Sequence, residues 1–148
     1  MKTQGEIENE ISEGMGHFEL EYMGRGPKFV RAHLIGDLVV VRLTGVLTAA
    51  EQHLVKTLPT EKGRDLLKQV RSHLIEIAAP AISAMIKGIT GVNVTSMYHD
   101  VSTSTGEEMV LFTLADEPSC RESRRINLTE SRQGIGAGRT PGYAALIG

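Results

Sequence analysis

The sequence predicts an α+β domain: two β-hairpins in one antiparallel or mixed sheet with helices packed on one face, in the order α-β-β-α-α-β-β. Three observations carry this expectation. Apolar residues recur at helical spacing over residues 4–23 and 60–90. Apolar residues alternate with others over residues 30–43 and 107–114. Short turns rich in glycine, serine or threonine separate the alternating runs.

Residues 4–23 place Ile7, Ile11, Phe18 and Tyr22 on one helical face, with acids elsewhere. Gly14 and Gly16 each weaken this helix by roughly 1 kcal/mol relative to alanine, so docking must stabilise it. Gly24-Arg25-Gly26-Pro27 ends it. In the first hairpin, Val30, Ala32 and Leu34 alternate, as do Val39, Val41 and Leu43, around Gly36-Asp37. Glycine in the first turn position suits a type II′ loop and sets the register: Ile35 opposite Leu38, Ala32 opposite Val41, Arg31 opposite Arg42.

Thr48 and Glu51 form a capping box that opens a short helix through about Thr57. A longer helix starts at Pro59-Thr60 and runs to about Thr90, where Gly91 stops it. Its expected buried stripe is Leu66, Leu67, Val70, Leu74, Ile77, Ala81, Ile82, Met85 and Ile89, with Pro80 removing one backbone hydrogen bond. Residues 92–101 and 107–114 form the second hairpin, with Val110, Phe112 and Leu114 on one side and Met109, Leu111 and Thr113 on the other.

The 148 residues divide into one domain over 1–116 and a mobile or loosely docked C-terminal tail over 117–148, whose glycine- and arginine-containing sequence has no sustained period. A single cysteine, Cys120, rules out an internal disulfide. No apolar run approaches the roughly 20 residues that span a bilayer. A cytoplasmic protein is therefore expected. The net charge of −2 argues against nucleic acid as a partner. Charge is uneven, however: residues 1–23 carry six acids and one lysine.

Two features of the first hairpin suggest function. The face bearing Phe29, Arg31, His33, Ile35, Leu38, Val40 and Arg42 holds four large apolar residues where an open sheet should be polar. A second copy of the chain or the N-terminal helix would cover it, and a homo-oligomer, most simply a dimer, is expected; scattered surface aliphatics are the alternative. Arg31 opposite Arg42 is destabilising without a neutralising charge. Glu107 and Glu108 would supply it within the chain. A bound small anion would also do so, with Arg25, Lys28 and His33 close in sequence.

Chemistry-bearing patterns are otherwise weak. His99 and Asp100 are strand neighbours and point to opposite faces, so they form no dyad. The five histidines show no metal-binding spacing. Gly134-Ile135-Gly136-Ala137-Gly138 has no preceding strand and no following helix, as a phosphate loop would require. No catalytic residue, metal or cofactor is expected.

Several stretches together resemble one bacterial family. They are Gly24-Arg25-Gly26-Pro27-Lys28, Val30-Arg31, Gly36-Asp37, Val41-Arg42-Leu43-Thr44-Gly45-Val46-Leu47-Thr48 and Ala50-Glu51. Glu61-Lys62-Gly63-Arg64, Ile89-Thr90-Gly91-Val92, Asp100-Val101-Ser102-Thr103 and Thr105-Gly106-Glu107 continue the pattern. In this order they resemble the MpsC-like family, named for a sodium-translocating, membrane-potential-generating system also linked to bicarbonate uptake. The likeness covers about residues 4–116; Gly14-Met15-Gly16 and the tail depart from it. It implies a non-enzymatic accessory or regulatory protein of a membrane ion or bicarbonate transporter, with a transporter subunit as partner. The contact surface would be Arg25, Lys28, Arg31, His33 and Arg42. A small-anion or nucleotide sensor using the same residues is the alternative.

Overall fold

A computed structural model describes residues 1–57 and 59–121. The elements follow the expected order: helix α1 (Gln4–Met23), strands β1 (Phe29–Ile35) and β2 (Leu38–Thr44), helices α2 (Ala49–Thr57) and α3 (Thr60–Thr90), then strands β3 (Val94–Val101) and β4 (Glu108–Leu114). The strands form one sheet in the order β1-β2-β4-β3, and every pairing is antiparallel. The hairpins therefore join through their second strands, with Val41 opposite Val110 at the centre.

Local chemistry explains the boundaries. Thr3 and Glu6 close a capping box at the start of α1, and Gly24 ends it in the left-handed region. The β1–β2 turn has φ +62° at Gly36 and a negative φ at Asp37, the pattern expected of type II′. The predicted register holds from Phe29 opposite Thr44 to Ile35 opposite Leu38. Helix α3 continues through Pro80 to a left-handed Gly91.

The core lies between α1, α3 and one sheet face. Ala32, Leu34, Val39, Val41, Leu43, Val110, Phe112 and Leu114 bury this face against Ile7, Ile11, Met15 and Phe18 of α1 and Leu67, Ile75, Ala78, Ile82 and Ile86 of α3. Fully burying each large aliphatic or aromatic side chain stabilises the fold by about 1.5–3 kcal/mol. The buried stripe of α3 differs from the expected one. Leu66, Val70 and Ile77 are exposed, and Arg71 occupies a core position. Gly14 of α1 lies against Met85 of α3: a β-carbon there would come within 2.6 Å of Met85 Sδ and displace the end of that side chain.

Helix α1 seals an edge as well as a face. Its residues 4, 8 and 12 run along the outer edge of β1. Gln4 Nε2 donates to the Leu34 carbonyl (2.7 Å), while Glu8 Oε2 and Ser12 Oγ accept from Leu34 N (2.8 Å) and Ala32 N (3.0 Å). These bonds occupy backbone groups that an edge strand would otherwise offer to another chain.

Of the expected tail, residues 117–121 return to the N-terminus. Arg121 N donates to the Lys2 carbonyl at 3.0 Å, and its guanidinium reaches Glu6 at 3.0 Å. The rest of the tail, including Gly134–Gly138, lies outside the described residues.

Candidate functional site

The most concentrated charge in the described residues is inside the core. Arg71 projects from α3 at the point where the stripe Leu67–Ile75 needs an apolar side chain, and it is fully buried. It meets one carboxylate from each of three other elements. Nε and Nη2 donate to the two oxygens of Glu51 on α2, both at 3.0 Å. Nη1 donates to Glu108 of β4 at 2.9 Å and to Glu19 of α1 at 3.2 Å. Nη2 also donates to the Val46 carbonyl at 2.9 Å. His99 of β3 adds Nε2 at 3.3 Å from Glu108 Oε2, outside hydrogen-bonding geometry.

Three carboxylates around one guanidinium leave an excess of negative charge. Burial, reinforced by the Glu108 charge, pushes Glu19 up to about 7 despite the Arg71 contact. Burial also opposes ionisation of Glu51, but the Arg71 and Thr48 hydrogen bonds outweigh it and hold Glu51 below the usual carboxylate range. Glu19 Oε2 and Glu108 Oε1 have no hydrogen-bond partner among the described residues. Glu51 has a second task. Its Oε1 accepts from Thr48 N at 2.9 Å, closing the predicted capping box of α2. The cluster thus ties α1, α2, α3 and β4 to one side chain.

Around the β2–α2 turn, on the outside of this cluster, lies an open cleft of about 480 Å³. Arg25 and Lys28 enter it from the α1–β1 loop, and Lys56 from the last turn of α2. Thr103, Ser104 and Thr105 of the β3–β4 loop line the opposite side. Among the described residues, no carboxylate lines it. Two non-local bonds assemble the wall: Lys28 N donates to the Thr44 carbonyl (2.8 Å), and Val46 N to the Gly106 carbonyl (3.4 Å). Gly45, at φ +66°, is required here because a β-carbon would strike Lys28 Cγ at 2.7 Å.

The second candidate surface is the sheet face turned away from the helices. Its register aligns three rows across the strands: Arg31–Arg42–Met109–Asp100, His33–Val40–Leu111–Tyr98 and Ile35–Leu38–Thr113–Ser96. Phe29, Ile35 and Tyr98 are 72%, 55% and 59% exposed. Arg42 Nε donates to Glu107 Oε2 at 2.7 Å, so Glu107 supplies the carboxylate that the Arg31–Arg42 pair needs. Glu108 points to the opposite face, toward Arg71. Asp100 receives Lys68 Nζ at 2.9 Å, a bond that holds its carboxyl below its ordinary range. Arg31 has no ion pair among the described residues.

The five residues singled out from sequence therefore separate. Arg25 and Lys28 line the cleft; Arg31, His33 and Arg42 lie on the open face. Sequence reasoning missed the Arg71 cluster, although its signal was present. Arg71 lies four residues from both Leu67 and Ile75, Glu19 lies four after Met15, and Glu108 begins the alternation Val110, Phe112, Leu114. Each puts a charge where the apolar pattern expects none.

This geometry sits within residues 3–116, which match the family model described as Na+-translocating membrane potential-generating system (MpsC). The chain belongs to the MpsC family. It is also similar to the uncharacterized protein YbcI of Bacillus subtilis (strain 168), at 35% identity over 116 residues, 78% of this chain and 91% of that protein. No solved structure matches it significantly. The family match covers both candidate surfaces and leaves out only residues 1–2 and 117–121 of those described. Among the described residues, no helix is long and apolar enough to cross a membrane.

Proposed function

We propose that the chain is a non-enzymatic accessory or regulatory protein of a membrane-potential-generating ion or bicarbonate transport system. It acts from the cytoplasmic side as a homodimer joined through the open sheet face. That face is the observation carrying the proposal: Phe29, Ile35, Leu38, Val40, Met109, Leu111 and Tyr98 form an apolar surface that α1 leaves uncovered. The family's name supplies the transport context. The Arg71 cluster supports a structural role, since its guanidinium is buried and every nitrogen on it is engaged.

A second copy fits this face by symmetry. A two-fold axis parallel to the strands, passing between β2 and β4, sets β1 over the second copy's β3. The row Arg31–Arg42–Met109–Asp100 then meets its own reverse. Arg31 opposes Asp100 of the second copy, and the Val40–Leu111 centre meets Leu111–Val40. The long arginine spans the offset from the roughly 30° rotation of aligned sheets. Four strands about 4.8 Å apart, each about seven residues at roughly 3.4 Å, give a face of about 450 Å² per copy. Two copies bury on the order of 900 Å², below the usual range of stable interfaces, so the dimer is reversible.

The test is co-purification of the tagged full-length chain from membranes in mild detergent, with Na+-dependent membrane potential and bicarbonate uptake measured in a deletion strain. Recovery of a transporter subunit and a fall in either flux are expected. No retained membrane protein, or unchanged fluxes, would overturn the transport role.

A further inference from the structure

We propose that the cleft between the α1–β1 loop, α2 and the β3–β4 loop is a binding site for a small phosphorylated organic molecule, a site independent of whatever covers the sheet. Three cations from separate positions in the chain, Arg25, Lys28 and Lys56, converge on one opening with no carboxylate in its wall among the described residues. The side-chain ammonium groups of Lys28 and Lys56 have no hydrogen bond or ion pair among the described residues. Converging like charges repel, and an anion placed between them relieves that repulsion.

The site is also held in shape. Arg25 Nη1 donates to the Leu47 carbonyl at 3.1 Å, which fixes the guanidinium while leaving further N–H groups for a ligand. The stem of Lys28 rests over Gly45, where only glycine leaves room for it. Across the cleft, the β3–β4 loop is closed by Ser102 N to the Glu107 carbonyl (2.7 Å) and Gly106 N to the Ser102 carbonyl (2.8 Å). Thr105 N to Ser102 Oγ (3.3 Å) tightens it further. This gives the cleft a preformed wall that includes the hydroxyl-bearing Thr103 and Ser104, with the Ser104 hydroxyl paired to that of Ser102 at 3.1 Å. Arginine, lysines and hydroxyls together suit a phosphate, which carries about −1.5 to −2 charge and several acceptor oxygens.

Size and polarity indicate more than a free ion. A volume of about 480 Å³ lies in the range of small-molecule pockets, and Leu47 and Val55 add an apolar part to the lining. The phosphate would lie among the cations, with the organic moiety against Leu47 and Val55.

Isothermal titration of the full chain at low salt tests this with AMP, ribose 5-phosphate, inorganic phosphate, adenosine and ribose. At least one phosphorylated organic probe is expected to bind with a Kd below about 1 mM. Its dephosphorylated counterpart should give no heat, and inorganic phosphate should bind about tenfold more weakly. Lys28→Gln and Lys56→Gln should each weaken binding about tenfold while leaving the circular dichroism unchanged, since each removes a charge-assisted contact. No binding by either organic phosphate, or binding unaffected by both substitutions, overturns the site. Inorganic phosphate binding as well as the organic probes overturns the organic ligand.

Discussion

Arg71 on α3 and Glu108 on β4 face each other at 2.9 Å with neither side chain reaching solvent. A buried pair of this kind gains little over a well-packed apolar pair, but breaking it is costly because one charge remains without compensation. Here the same guanidinium also serves Glu19 and Glu51, so its loss strands three carboxylates at once. Arg71→Met is expected to destabilise the protein by about 3–5 kcal/mol in urea unfolding. Adding Glu19→Gln and Glu108→Gln to that variant should recover part of the loss. Wild-type stability in Arg71→Met would remove the cluster from any account of this fold.

The cluster also sets a pH dependence, because two of its carboxylates shift in opposite directions. Glu19, raised from an ordinary value near 4.5 to about 7, holds its proton more tightly when folded. Its contribution is complete below pH 4.5 and is lost as pH rises through 7. Glu51 is lowered, so its contribution is present above the ordinary carboxylate value and is lost as pH falls through its lower folded value. Glu19→Gln, neutral at every pH, should therefore gain stability relative to wild type between pH 5 and 8, by on the order of 3 kcal/mol. Urea midpoints across that range measure it. Parallel curves for the two proteins would refute the assignment to Glu19.

How far the sequence could be read depended on the range of the interactions. The β1–β2 register follows from Gly36-Asp37, the start of α2 from Thr48 and Glu51, and the end of α3 from Gly91. Each signal lies within a few residues of what it determines. The buried side of α3 was not readable in the same way, because the helix carries two apolar stripes. One runs through Leu66, Val70 and Ile77 and is exposed; the other runs through Leu67, Ile75, Ala78 and Ile82 and is buried. Choosing between them requires Glu19 and Glu108, which meet Arg71 only in the folded chain. The cleft was half legible for the same reason. Arg25 and Lys28 stood out in sequence, while their third cation and hydroxyl wall depend on the turn at Val46 meeting the loop at Gly106.

Two glycines within α3 should respond oppositely to alanine. A β-carbon on Gly63 would lie 2.8 Å from the Leu54 carbonyl oxygen, a backbone atom of α2 that cannot swing aside. Gly88 has nothing within 4 Å of the same position. Gly88→Ala should therefore stabilise by about 1 kcal/mol through helix propensity. Gly63→Ala should destabilise by roughly 1–3 kcal/mol through overpacking. Thermal unfolding of both variants measures the difference, and equal shifts would mean that α2 does not seat closely on α3.

The open face yields the test with the sharpest geometry. If a two-fold axis runs along the strands between β2 and β4, each interface contains two Arg31–Asp100 contacts, one at each end of the row. Arg31→Asp then places carboxylates against carboxylates at both ends. It should shift sedimentation velocity toward monomer, with the dimer Kd rising about tenfold or more at low salt. Asp100→Arg alone should do the same by opposing two arginines. The double variant Arg31→Asp/Asp100→Arg exchanges the charges and should restore the dimer, an outcome that general damage to the sheet cannot produce. Leu111→Glu, at the apolar centre, should abolish association without rescue by either charge change. Wild type that remains monomeric at high concentration excludes the paired-sheet arrangement outright. A dimer indifferent to all four variants places the contact elsewhere, with the exposed Leu66–Val70–Ile77 stripe of α3 as the next surface to substitute.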